Sequence, residues 1–335
     1  MKTIRQYFGL VIAGILLYIL IQTFIQTHKQ LEDITLHIQW GWLVTSFLFI
    51  LAYRYFYVWP FAMLLRGFSQ GGQIQFRNAF MLFHLANILR YLPGRVWGIV
   101  HLLSLSHRVG LSRIATGSCL TMHVFIETAF GGLIAITLLF SKQMQATALG
   151  VLEKFSGNNL VFTLVIIVII LTGIMVVVLI LKPKVSPRLK HFRNSLQLKG
   201  SPLFHKSYVM QWLSIFGCHI LLWICQGFAF YLFVRSFTDV PWTSVTTLTA
   251  CYAFAWICGF LSFLTPGGLG IREGLLSLLL AFLMPTPHAT FVALLCRIWM
   301  LSGELILAGV AYFLKLYQEN GPVNLSATQP NINIG

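Results

Sequence analysis

Charge is scarce in this chain. Only 9% of its 335 residues are Asp, Glu, Lys or Arg, whereas a soluble domain carries about 25%. Asp and Glu together number 8, so chemistry that needs several clustered carboxylates has few candidates. The 6 cysteines lie in apolar segments without a Cys-x-x-Cys, which indicates neither a disulfide framework nor a zinc site.

Several known catalytic motifs are missing as well. The chain has no Asp-x-Asp, His-Glu-x-x-His or phosphate-binding Gly-Lys-Ser/Thr. The longest hydrophilic run is the loop 182–206, which is too short for a soluble catalytic domain. We therefore expect no catalytic residues, no cofactor, no metal site and no nucleic-acid module, and we do not expect an enzyme.

Long apolar segments dominate what is present. Hydrophobic residues make up 57% of the chain and the mean hydropathy is +0.80, which predicts an all-α polytopic membrane protein. No Ala-x-Ala cleavage site follows the first apolar run, so we interpret that run as a retained helix. The segments long enough to span a bilayer are approximately 7–26, 40–64, 114–140, 160–181, 208–237 and 289–314.

Two further apolar segments, roughly 78–106 and 241–284, are each interrupted by Pro-Gly. Proline removes a backbone donor, so such a break persists at membrane depth only where protein or a wet cavity surrounds it. Three of the four arms have about 12 to 15 residues, fewer than the roughly 20 that cross a bilayer. We expect two re-entrant hairpins, or eight or more spans if the arms cross.

Loop charges indicate the orientation. With the N-terminus inside, the outer loops hold only the basic residues Lys29, Lys142, Lys154 and Arg235, while the cytoplasmic loops collect most of the others. Both termini are therefore predicted to be cytoplasmic. The basic loop 182–206 contains no acid, and topology accounts for most of the formal charge of +15.

The order of segments repeats. Each half, 1–140 and 160–317, contains two spans, a broken segment and a further span, and the halves face in opposite directions. Inverted repeats with broken helices point to a transport site near the midplane. We predict one membrane domain over 1–317 and a disordered polar tail over 318–335. The residues that form the two breaks are Pro93, Gly94, Gly98, Pro266, Gly267, Gly268, Gly270 and Gly274.

Charged residues within the breaks are candidates for binding a phosphate head group. Arg90 and Arg95 flank the first break, and Arg272 with Glu273 follows the second. Guanidinium forks match phosphate oxygens, and freed amides at a half-helix start add positive potential. The alternative is that these residues pair with acids and hold the hairpins in place.

Ionisable residues inside predicted spans form a second set. His123 and Glu127 lie four residues apart on one helix, and Arg297 and Glu304 lie seven apart on another. Glu127 or Glu304 is expected either to neutralise a hairpin arginine or to take up a proton that couples substrate movement. Arg54, among aromatic residues, is expected near an interface.

The two breaks resemble a known family. Tyr91-Leu-Pro-Gly-Arg-Val-Trp-Gly98 and Pro266-Gly-Gly-Leu-Gly-Ile-Arg-Glu-Gly274 are similar to the paired signatures of the lysylphosphatidylglycerol synthase transmembrane region, also called flippase-like domain proteins. The resemblance extends from the first span to about Lys315 and adds Trp97 to the substrate-binding candidates. It implies a prokaryotic membrane protein that moves a lipid between leaflets. Because no synthase domain is seen after Lys315, synthase activity is not expected.

The resemblance makes a stand-alone flippase the leading hypothesis, with an anionic phospholipid or lipid-linked head group as substrate. One alternative is an integral membrane transferase in which Glu273 is the first catalytic suspect. Another is an accessory subunit in the assembly of lipid-linked sugars or surface polymers. The expected location is the prokaryotic plasma membrane and the expected partners are anionic membrane lipids, with surface-polysaccharide pathway proteins as further partners; the oligomeric state stays open.

Overall fold

The computed structural model describes residues 38–68, 74–89, 97–108, 111–140, 209–261, 268 and 270–320. Within these ranges every regular element is a helix, which confirms the all-α prediction. The predicted spans at 7–26 and 160–181, the basic loop 182–206 and the tail 318–335 lie wholly or mostly outside the described residues.

The described part of the first half contains four α-helices. They are α1 (Trp40–Phe68), α2 (Phe76–Ile88), α3 (Trp97–Arg108) and α4 (Arg113–Ile136), and a 3₁₀ turn at Thr137–Phe140 extends the last of them. The sequence shows why α4 begins where it does. The side chain of Ser112 accepts a hydrogen bond from the backbone N–H of Ala115, which satisfies one of the free amides of the first turn.

Four helices follow in the second half. They are α5 (Val209–Arg235), α6 (Val245–Leu261, preceded by a 3₁₀ turn at Trp242–Ser244), α7 (Ile271–Leu280) and α8 (Thr286–Asn320). In the sequence order of each half, α1 thus corresponds to α5, α2 to α6, α3 to α7 and α4 to α8.

Five of the described helical segments are long and apolar enough to cross a membrane, namely α1, α4, α5, α8 and the segment Trp242–Leu261 that includes α6. At 1.5 Å per residue, a segment of 20 residues reaches about 30 Å, the thickness of a hydrocarbon core. The remaining arms of the broken segments are short, since α2 has 13 residues, α3 has 12 and α7 has 10. The protein is a multi-pass membrane protein, and the re-entrant path of the two breaks stays a prediction.

The core forms where α1 and α5 pack along each other. Ile50 and Phe61 of α1 and Phe230 and Phe233 of α5 are fully or almost fully buried there. Leu213, Leu221 and other apolar side chains on the far side of α5 are exposed, as expected of a surface that faces lipid tails.

Around this core, helices of one half pack against helices of the other. The α2 helix of the first half packs against α8 of the second, and α6 of the second half packs against α4 of the first. Small residues allow the close approaches: a Cβ at Gly131 of α4 would lie 2.6 Å from the indole of Trp223 of α5, and a Cβ at Gly227 of α5 would collide with Thr249 of α6. The two halves are therefore interlocked.

Candidate functional site

The end of the second break is shaped by two glycines with positive φ. Gly268 has φ 73° and Gly270 has φ 84°, backbone values that residues other than glycine rarely adopt. A Cβ at Gly268 would lie 2.6 Å from the carbonyl oxygen of Gly259 in α6. The break thus returns tightly onto α6 before α7 begins.

Glu273 caps the helix that follows. The N–H of Gly270 donates to Oε2 of Glu273 at 2.7 Å, and Nη1 of Arg297 on α8 lies 3.4 Å from Oε1. The helix start therefore differs from the expectation that its amides are free for a ligand, because a carboxylate of the same turn already accepts one of them. Glu273 and Arg297 join α7 to α8.

Arg272 is buried, with only 7% of its surface exposed. Its guanidinium lies 4.8 Å from the ring centre of Tyr252 on α6, and Nη2 donates to the sulfur of Met300 on α8 at 2.6 Å. The Tyr252 hydroxyl donates to the same sulfur at 2.8 Å. Among the residues that the structure describes, no carboxylate lies within ion-pair distance of Arg272, and Glu273 next to it is directed to Arg297.

Arg54 has the opposite environment. Its Nη2 lies 2.6 Å from Oε1 of Glu304 on α8, and both side chains are buried. Arg54 is at the midpoint of α1, so the expectation that it lies near an interface is wrong, although its guanidinium does lie 5.5 Å from the ring centre of Tyr53. Glu304 thus lies at ion-pair distance from an arginine of a spanning helix.

Glu127 forms a third buried centre on α4. Its nearest polar side-chain groups are the hydroxyl of Tyr53, which donates to Oε1 at 3.4 Å, and Nε2 of His219, which lies 3.9 Å from Oε2. The indole of Trp223 donates to the backbone oxygen of Glu127 at 3.2 Å. Glu127 therefore lies between α1 and α5, the two central helices.

His123 lies one turn before Glu127, as the spacing predicts, and is fully buried. Its ring is 4.7 Å from the ring of Tyr57 and 5.2 Å from the ring of His219. Within the described part of the chain, neither of its ring nitrogens has a hydrogen-bond partner.

The other candidates are only partly described. Arg90, Pro93, Gly94, Arg95, Pro266 and Gly267 lie outside the described residues. Trp97 is at the first residue of α3 and 45% exposed, whereas Gly98 is buried. Gly274 has open space beside it, so it is not required for a close approach.

The model of the family described as lysylphosphatidylglycerol synthase TM region matches residues 7–308, which include both Pro-Gly stretches and the three buried centres. The chain belongs to the lysylphosphatidylglycerol synthase TM region family. No curated protein and no solved structure matches it. Membership of this family indicates a function related to membrane lipids.

Several residues that surround the buried charges are not singled out by any pattern in the sequence. Tyr252 and Met300 surround Arg272, yet tyrosine and methionine are ordinary residues of membrane helices. His219 does carry a signal, since a histidine in the middle of the apolar run 208–237 is costly without a partner.

Proposed function

We propose that this protein is a lipid flippase that moves an anionic phospholipid or a lipid-linked head group between leaflets. The observation that carries the proposal is the environment of Arg272. A buried cation is costly without an opposite charge nearby, and a planar guanidinium offers paired donors to phosphate oxygens. In the structure the partners of Arg272 are the ring of Tyr252 and the thioether of Met300. A phosphate would be a stronger partner than either.

The pattern of helix contacts supports alternating access. When α1 is exchanged with α5, α2 with α6, α3 with α7 and α4 with α8, most contacting pairs map onto other contacting pairs: α2 with α8 onto α6 with α4, and α3 with α4 onto α7 with α8. We propose that this reflects an inverted repeat whose two breaks are re-entrant hairpins. In transporters built this way, substrate sites lie at the repeat interface.

The environment of Glu273 favours transport over catalysis. A general base must reach its substrate with a free lone pair, whereas Glu273 is buried, caps its own helix and pairs with Arg297. Our proposal is accordingly a transporter without enzymatic turnover.

The proposal includes location and partners. The excess of Lys and Arg in the predicted inner loops supports cytoplasmic termini, and family membership supports the proposed prokaryotic plasma membrane. Anionic lipids are the proposed partners. Proteins of a surface-polymer pathway are a further class of partner, which co-purification would reveal.

A reconstitution assay tests the function. Purified protein is placed in vesicles that contain fluorescent phosphatidylglycerol or fluorescent phosphatidylcholine, and a membrane-impermeant quencher reports the lipid that reaches the outer leaflet. We expect the wild type to move the anionic lipid, and Arg272→Gln to slow that movement at least about tenfold, the effect of losing about 1.4 kcal/mol of binding in the transport step.

Arg235→Gln is the matched control. Arg235 is also an arginine held by aromatic rings, since its guanidinium lies 4.9 Å from the ring centres of both Trp42 and Trp242, but it is at the end of α5 and away from the breaks. We expect the control to transport as the wild type does. Equal transport by Arg272→Gln and the wild type, or no transport of either lipid by folded wild type, would refute the proposal.

A further inference from the structure

The three buried acids of the described helices differ in their partners. Glu304 meets a guanidinium at 2.6 Å. Glu273 accepts a backbone N–H at 2.7 Å and lies beside Arg297. Glu127 has a single side-chain donor at 3.4 Å, and its Oε2 accepts no hydrogen bond from any described residue.

These distances indicate different protonation states. A buried carboxylate is stabilised by a cation at close range or by a short hydrogen bond. Glu304 has the guanidinium of Arg54 at 2.6 Å, and Glu273 accepts from a backbone N–H and lies beside Arg297. Glu127 has only a long contact to a neutral hydroxyl, although it is just 1% exposed. A neutral carboxylic acid suits this environment, because it carries no charge that needs compensation.

The tautomer of His219 fits a neutral acid. Its Nδ1 lies 2.8 Å from the backbone oxygen of Ile215 and therefore carries a hydrogen that it donates. In the neutral ring Nε2 then has a free lone pair, and this atom faces Oε2 of Glu127 at 3.9 Å. Two lone pairs would repel across this gap, whereas a proton on Glu127 makes the contact attractive.

His219 is also placed to receive that proton. The backbone carbonyl of Ile215 already accepts from Nδ1 at 2.8 Å. An imidazolium would therefore have this carbonyl acceptor on one side and the new carboxylate of Glu127 on the other.

We propose that Glu127 is a proton-binding site in the centre of the membrane domain, with Nε2 of His219 as the adjacent acceptor. The proton leaves the Glu127 oxygen for Nε2, or is released to bulk water and returns from it. Only O–H and N–H bonds form and break. The site goes beyond the proposed lipid transport and does not depend on it.

The charges around Glu127 are consistent with this assignment. From α1 it faces Tyr53 and, farther away, Arg54, whose charge is met by Glu304. From α5 it faces His219, and on its own helix His123.

The other two helices that pack on α4 contribute few charges. Helix α6 has no charged residue, and its titratable groups are Cys251, Tyr252 and Cys258. Helix α3 carries His101, His107 and Arg108. Among the described helices packed on α4, no carboxylate other than Glu127 itself is present to share its proton.

Infrared difference spectroscopy on the purified full chain in vesicles tests the proposal directly. Raising the pH, or exchanging H₂O for D₂O, should change the C=O stretching band of a protonated carboxylic acid in the wild type. Glu127→Gln should lack this band, and Glu304→Gln should keep it. His219→Leu should show a larger band at neutral pH, because the proton then has no second position.

Two further variants keep the test decisive if Glu127→Gln does not fold. Glu127→Asp should retain an acid band at a shifted frequency, and Tyr53→Phe should shift the band because one hydrogen bond to the acid is lost. A band that is unchanged in all Glu127 and Tyr53 variants, or no acid band in the wild type, would overturn the proposal. None of these readouts uses lipid movement, so they stand apart from the flippase test.

Discussion

Arg54 and Arg272 are both buried arginines, yet they are held in different ways. Arg54 contacts the carboxylate of Glu304 at 2.6 Å, whereas Arg272 contacts a thioether and an aromatic ring. Depth in the protein therefore does not separate the two arginines. Among the described residues, an acid at ion-pair distance does, and the proposed anion-binding role of Arg272 is based on this difference.

The largest expected effect is on the Arg54 side of this comparison. Glu304→Gln should lower the free energy of unfolding by about 3–5 kcal/mol, since it leaves a buried guanidinium without its counter-charge. Thermal or denaturant unfolding of the purified protein in detergent measures this. The double variant Arg54→Met with Glu304→Leu should recover most of the loss, and a double variant as unstable as the single one would contradict the ion-pair explanation.

A smaller loss is expected where the break positions Arg272. Gly268→Ala should cost about 1–3 kcal/mol, because alanine is strained at φ 73° and its Cβ would lie 2.6 Å from the Gly259 carbonyl oxygen. The same unfolding assay applies. Gly274→Ala is the control, since its Cβ meets nothing within 4 Å, and equal destabilisation by both substitutions would show that the close approach to α6 is unimportant.

The smallest effect concerns the ring beside Arg272. Tyr252→Leu should cost about 0.5–2 kcal/mol of stability through loss of the cation–π contact. Tyr252→Phe keeps the ring and loses only the hydroxyl contact with Met300, so it should be closer to the wild type. Unfolding that places the phenylalanine variant below the leucine variant would mean that the hydroxyl, and not the ring, holds the arginine.

The sequence predicts the class of fold because long apolar runs leave few alternatives to spanning helices. The runs at 40–64, 114–140, 208–237 and 289–314 correspond to α1, α4, α5 and α8. The spacing of His123 and Glu127 also placed both on one buried face of a helix. These are local properties of the chain, which periodicity and hydropathy capture.

The partners of the buried charges are a different matter. The Arg54–Glu304 pair joins the first described helix to the last, so no local sequence pattern predicts it. The same applies to Tyr53 and His219 beside Glu127, which come from α1 and α5. Such contacts depend on how the helices pack, and one sequence alone does not specify that packing.

The packing of α2 against the second half and of α6 against the first half limits how the protein is able to move. Because α2 is packed against α8 and α6 against α4, neither half of the chain is able to turn as an independent piece. A rocking movement would have to use two mixed rigid bodies, one that contains α2 and α8 and one that contains α4 and α6. The long contact between α1 and α5 would lie at the rotation axis between them. If the protein moves lipid as proposed, cross-links within α2–α8 or α4–α6 should leave lipid movement unchanged, whereas a cross-link from one mixed body to the other should stop it.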